Sequence, residues 1–161
     1  MLDIAELGWD ANSLGEVDHR KVKAPFVRLS SYTVGQHGDI VYFFDIRITQ
    51  PNTAYLSTLG LHSLEHLLLA GFRKYLPANF ICVAPMGCQT GFYLVLLNEG
   101  RAKIIVGVYE RILNDIVEAR SVPYANINDC GHWEHHDLEL AKAVARRMLE
   151  HRSGWLQVLC D

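Results

Sequence analysis

No apolar stretch in this chain approaches the roughly 18–20 residues that a membrane span needs. Nor do its basic residues gather into the patch that a nucleic-acid surface requires. The fifteen lysines and arginines are scattered among eighteen acids, for a formal net charge of −3. Neither a membrane nor a nucleic acid is therefore expected as a partner. The four cysteines, at positions 82, 88, 130 and 160, form no C-x-x-C pair. They read as free thiols, metal ligands or a nucleophile, not as a disulfide framework. Asp3 and Glu6 stand early in an N-terminus that lacks the basic region and apolar run of a signal peptide, so the cytoplasm is the expected location. Internal repeats and low-complexity linkers are missing as well. The expected organisation is one catalytic domain, 1–161, with an N-terminal arm at 1–24.

What is present is mostly core material. Half of the 161 residues are hydrophobic and a fifth are charged, and mean hydropathy is +0.06. That composition excludes a disordered or fibrous chain, and the length allows about two thirds of the surface to be buried without disulfides. The eight histidines are more telling, because four fall in two tight groups, His62/His66 and His135/His136.

Residues 26–34 and 40–49 are rich in β-branched and aromatic side chains, with the turn composition Gln36-His37-Gly38-Asp39 between them, and predict a hairpin. In the second strand Tyr42, Phe44 and Ile46 share one face, while Asp45 and Arg47 place two charges on the other, partly apolar face. Thr58 is the expected N-cap of a helix over 59–75, whose Leu61, Leu64, Leu68 and Phe72 recur at helical spacing. Two further strands, 80–84 and 92–97, flank the tight link Pro85-Met86-Gly87-Cys88-Gln89-Thr90-Gly91. A second helix is expected over 101–120, then a loop over 121–136, then a third helix over 138–151 capped by Asp137. The order β-β-α-β-β-α-α does not alternate as a parallel sheet would. It predicts an α+β fold, an antiparallel sheet with helices packed on one face.

The sharpest chemical signal is His62-Ser63-Leu64-Glu65-His66. On a helix the two imidazoles stand one turn apart, with Glu65 between their azimuths, so both can turn a nitrogen to one metal ion while the carboxylate moves protons beside it. The bland alternative is a helix with two surface histidines. A third ligand could be Cys130, in the polar loop segment Asn128-Asp129-Cys130-Gly131, with Glu134, His135, His136 and Glu139 as competitors. Cys88, in its Gly-flanked turn, reads either as an exposed thiol or as a small buried hydrophobe. Cys82 and Cys160 read as the latter.

Taken together, His62-Ser63-Leu64-Glu65-His66-Leu67-Leu68, Pro85-Met86-Gly87-Cys88-Gln89-Thr90-Gly91 and Cys130-Gly131 with His136-Asp137-Leu138 resemble the S-ribosylhomocysteine lyase (LuxS) family. Asp18-His19, Ala24-Pro25-Phe26-Val27-Arg28, Phe44-Asp45-Ile46-Arg47 and Gln50-Pro51-Asn52 extend the likeness over about 17–152. The resemblance implies metal ligands His62, His66 and Cys130, acid/base residues Cys88 and Glu65, and substrate-pocket residues Arg47 and His19. It also implies a homodimer whose active sites draw on both chains, and a second chain is then expected to cover and desolvate Arg47. Two departures stand out. Cys82 occupies a position where the family pattern often carries aspartate, and the arm before Asp18 is longer and lacks the family's Ser-Phe.

The implied reaction releases homocysteine and 4,5-dihydroxypentane-2,3-dione from S-ribosylhomocysteine by two carbonyl migrations and a β-elimination. One divalent ion per subunit, iron(II) or zinc, would stabilise the developing enediolate charge. Two other readings compete. One is an inverzincin-type metallopeptidase with a glutamate ligand such as Glu134 or Glu139. The other is a non-catalytic metal-binding module, closed by His62, His66, Cys130 and His135.

Overall fold

A pleated strand sends alternate side chains to opposite sides, and in Ile40–Arg47 (β2) the side taken by Tyr42, Phe44 and Ile46 is fully inside. The computed structural model describes residues 3–160. The first two positions of the expected arm and Asp161 lie outside the described residues. β2 pairs antiparallel with Phe26–Val34 (β1) on one side and Gly91–Leu97 (β4) on the other, and Phe80–Pro85 (β3) completes the sheet beyond β4. The order is β1-β2-β4-β3. Register places Ile46 between Val27 and Phe92, and Phe44 between Leu29 and Leu94. All six are buried and belong to one core.

Three helices share that core. Thr58–Tyr75 (α1) contributes Leu61, Leu64, Leu68 and Phe72, and Ala102–Glu118 (α2) contributes Ile105, Tyr109, Ile112 and Ile116. Leu138–Glu150 (α3) adds Ala141, Ala145 and Met148. The class is therefore α+β, as the strand and helix order predicts. Among the described residues no helix is long and apolar enough to cross a membrane.

Several boundaries differ from expectation by a residue or two, and two of the differences have identifiable reasons. Ser57, not Thr58, caps α1, because its hydroxyl accepts the Gly60 N–H at 3.1 Å while the Thr58 hydroxyl sits 3.2 Å from His135 Nε2. β2 stops at Arg47, since the N–H groups of Ile48 and Thr49 both converge on the Thr90 carbonyl instead of continuing the ladder. α2 ends at Glu118, short of the expected 120. Asp137 does cap α3, its carboxylate accepting from the Leu140 N–H at 3.0 Å.

From Asp3 onward the arm packs onto the rest of the chain. Ile4 and Trp9 are buried in the main core, the Trp9 indole donates to the Gly100 carbonyl, and the Ala102 N–H donates to the Leu7 carbonyl. Further along, Val22 bridges Leu159 of the tail, where Trp155 is also fully buried. Few apolar residues suffice because each is large and finds its own chain's core.

Where α1 meets α2, Gly71 faces Ile112. A Cβ at 71 would lie 2.6 Å from Ile112 Cγ2, inside the closest tolerable contact. Gly71→Ala is expected to destabilise the fold by about 1–3 kcal/mol through overpacking, read by denaturant unfolding. Combining it with Ile112→Ala removes the clash, so the double variant should be less destabilised than the sum of the two singles.

Candidate metal centre

The imidazoles of α1 are aimed by backbone carbonyls outside the helix. His62 Nδ1 lies 2.8 Å from the His135 carbonyl and His66 Nδ1 lies 2.8 Å from the Pro123 carbonyl. A carbonyl can only accept, so Nδ1 of each ring carries the hydrogen and Nε2 keeps its lone pair free for a cation. The two rings meet edge to face at 4.8 Å between centroids. Glu65, one residue before His66, brings Oε2 to 3.6 Å from His66 Nε2.

Those carbonyls belong to the loop that also delivers the thiol. The Asn126 side-chain oxygen accepts from the N–H groups of Asn128 and Asp129, and its amide donates to the Asp129 carboxylate. The Asn126 backbone carbonyl then accepts from the Cys130 N–H at 3.0 Å. This tight turn sets Cys130 Sγ 3.4 Å from His62 Nε2 and 3.7 Å from His136 Nε2. Donor atoms of His62, His66, Cys130 and His136 all lie within 4.8 Å of one another.

His136 was one of four competitors by sequence, and the structure selects it over His135, Glu134 and Glu139. Its ring stacks on His62 at 4.0 Å between centroids, and Nδ1 is 3.4 Å from the Ser63 hydroxyl. Burial, followed by the neighbouring imidazoles, lowers its pKa to about 4, which keeps it neutral, the form that binds metals. His135 contributes a carbonyl instead of a ring nitrogen, so the closed set built on His135 does not match. The donor chemistry, borderline imidazole nitrogens and a thiol, fits a divalent transition ion. Among the described residues, no carboxylate joins the group.

A second constellation lies on the sheet face that carries Asp45 and Arg47. Arg47 grips Asp45 with two hydrogen bonds, 3.1 and 2.8 Å, and donates from Nη1 to Thr90 Oγ1 at 2.7 Å. Thr90 Oγ1 is in turn 2.9 Å from Cys88 Sγ. The Cys88 side chain is exposed. Partial burial would raise its pKa, but the Thr90 hydrogen bonds and the Arg47 charge outweigh that and hold the thiol below its usual range. Gly91 at the end of the turn lies against β2, where a Cβ would clash with the Ile46 carbonyl oxygen.

Two expectations need correction, the cover over Arg47 and the burial of Cys82 and Cys160. Arg47 needs no second chain to be desolvated, since its side chain is only 5% exposed beside Asp45 in its own chain. Cys82 and Cys160 are exposed, not buried hydrophobes, because Cys82 sits on the edge strand β3 and Cys160 at the end of the tail. His19 is exposed in a turn of the arm and lines neither of the two site cavities. One of these, about 350 Å³, is lined by Glu65, His66 and Tyr124. The other, about 280 Å³, is lined by Asn52, Tyr55, Cys88 and Thr90. The structure thus gathers His62, His66 and Cys130, and separately Cys88 and Arg47. Sequence reasoning named Asp45 as a charge on the strand face and Thr90 as part of the Cys88 turn but gave neither a role at the site, although both stand within two residues of a residue it had singled out.

Fold and site define an α+β protein with a His/Cys group suited to a metal ion and a separate activated thiol. Residues 13–158 match the family model for S-ribosylhomocysteinase (LuxS), and the chain belongs to that family. The S-ribosylhomocysteine lyase of Dichelobacter nodosus is 44% identical over 142 residues, 88% of this chain and 92% of that protein. That of Halobacillus halophilus is also 44% identical over 88% of this chain and 93% of its own. The Staphylococcus aureus enzyme is 41% identical over 88% and 90%.

Cys130→Ala is expected to lose bound divalent metal while keeping its helical signal, as measured by elemental analysis after dialysis. His135→Ala should retain the metal, because that residue's part is played by its backbone carbonyl.

Proposed function

We propose that this protein cleaves S-ribosylhomocysteine to homocysteine and 4,5-dihydroxypentane-2,3-dione, as a single catalytic domain acting in a homodimer. The observation that carries this reading is the family match over residues 13–158, which takes in both the His/Cys group and the Cys88 turn. His62, His66 and Cys130 would hold one divalent ion, zinc or iron(II), with His136 alongside. When bound, that ion supplies a Lewis acid for sugar oxygens that gain negative charge.

The remaining work is proton transfer by the chain's own groups. Moving the carbonyl from C1 to C2 and then to C3 takes a proton from one carbon and returns it to its neighbour at each stage. Cys88, its thiol held below the usual range by the Thr90 hydrogen bonds and the Arg47 charge, is suited to take a C–H proton and give it back. Glu65, beside the ligand nitrogens yet not among them, is suited to shift protons between oxygens and to assist the loss of the sulfur. The β-elimination then takes the C4 proton, its electron pair forms the C4=C5 bond, and the C5–S bond breaks with its pair leaving on the homocysteine sulfur, which takes up one proton; the enol left behind becomes the dione. No oxidant or reductant is consumed. Arg47 and His19 are assigned to substrate contact, Arg47 through the thiol turn and His19 from the exposed arm.

The separation of the two constellations supports a shared site. Glu65 and His66 open on one cavity and Cys88 on another within the same chain. Tyr55, Tyr124, Ile127 and Trp133 stand exposed around them. A second copy that docks on this apolar rim would bring the Cys88 turn of one protomer to the metal centre of its partner. A metallopeptidase is not favoured, since the ligand group includes no glutamate.

Incubation with S-ribosylhomocysteine should release free homocysteine, read with a thiol reagent; absence of release from the metal-loaded protein would sink the assignment. Cys88→Ala and Glu65→Gln should each keep the metal and lose about 10²–10⁴-fold in turnover, the usual share of a positioned acid or base. Because Arg47 and Cys88 share a chain, the informative mixture is Cys88→Ala with Glu65→Gln. If each site takes its thiol from one protomer and its carboxylate from the other, heterodimers hold one intact site and activity returns.

A further inference from the structure

Asp45, Arg28 and Arg47 form a buried group of one negative and two positive charges. Arg28 spends its guanidinium on Asp45 and on the carbonyls of Ser13 and Gly15. Arg47 spends Nε and Nη2 on Asp45, which leaves only Nη1 facing outward. That N–H ends on Thr90 Oγ1 at 2.7 Å, and the Thr90 residue is itself only 4% exposed. The hydroxyl therefore stands between the surplus positive charge and the exposed thiol.

A hydroxyl that accepts from a guanidinium is polarised to donate onward. Its proton has two acceptors in reach: Cys88 Sγ at 2.9 Å and Met86 Sδ at 3.9 Å. The nearer is far better placed, and a thiolate is the stronger acceptor. We propose that Thr90 is a positioning residue for the reaction, relaying the Arg47 charge by donating its hydroxyl hydrogen to a Cys88 thiolate. This rests on the reading of Cys88 as the proton-transferring thiol.

Few other groups face Cys88. From β2 come Arg47 and, behind it, Asp45; from β1 comes Arg28 through Asp45; and from the segment after β2 comes Tyr55, which lines the same cavity and is largely exposed. None of these replaces the hydroxyl, because none makes a hydrogen bond to Sγ. The direction of the Cys88 shift agrees with this arrangement, with Thr90 as the leading influence that lowers it.

The test is the pH dependence of Cys88 alkylation by iodoacetamide in the intact metal-loaded protein, resolved by peptide mass spectrometry because Cys82 and Cys160 are also exposed. Thr90→Val keeps the β-branched shape and removes the hydroxyl. Its alkylation profile should move up by about one pH unit, slowing reaction near neutrality about tenfold. Thr90→Ser should restore the original profile. Thr90→Ala is read in the same way should the valine variant fail to fold. An unchanged profile in the variants without a hydroxyl, or a serine variant that behaves like valine, overturns the relay. Homocysteine release is followed in parallel to keep the two claims apart. A shifted alkylation profile supports the relay whatever the turnover, whereas near-normal turnover in Cys88→Ala overturns the underlying role of the thiol.

Discussion

Asp45 carries one negative charge between two guanidinium groups in a region where its side chain is only 2% exposed. Taking such charges out of water costs several kcal/mol per ion unless each finds close partners, and the partners here are drawn from the arm, β1, β2 and the turn before β4. Arg28 ties β1 to the arm through the Ser13 and Gly15 carbonyls, while Arg47 ties β2 to the turn before β4 through Thr90. Strand register puts Arg28 directly opposite Asp45. A one-residue slip of β2 would send Asp45 and Arg47 to the apolar face and leave Arg28 without its partner. The charge group thereby fixes the same register that seats Phe44 and Ile46 in the core, and it orients the thiol turn as a by-product.

Ser63 does comparable work on the other side. Fully buried in α1, its hydroxyl donates to the Leu59 carbonyl and accepts the Asp137 N–H at 2.8 Å. The first turn of α3 is pinned to α1 at the point where His136 enters the histidine group. A hydroxyl inside a helix usually bonds back to its own helix alone. Here its second capacity joins two helices and steadies the loop between them.

The regular elements were legible because their signals are local. Period-two alternation marked β2, leucines at helical spacing marked α1, and Asp137 announced α3. The His62/His66 pair was legible for the same reason, since one helix sets its spacing. Selection of His136 over His135 was not, because adjacent loop residues look alike until the turn geometry decides which offers a ring and which a carbonyl. Arg47 misled in a similar way. A charge on an apolar strand face suggests a missing cover, and only tertiary structure reveals that Asp45, two residues away on the same face, supplies the compensation. Trp9 and Ile4 show that sparse anchors in an arm are enough when a core pocket awaits them.

Both helix-borne imidazoles take their tautomer from peptide carbonyls, at Pro123 and His135. Every residue has such a carbonyl, so the side chains at those two positions are free of that duty. The loop can therefore change much of its composition and still present the same pair of lone pairs. Its length and path have no such freedom, because inserting or deleting one residue between Pro123 and His135 would move a carbonyl out of reach of its ring. In evolutionary terms the segment around this centre tolerates spelling changes and resists changes in the number of letters.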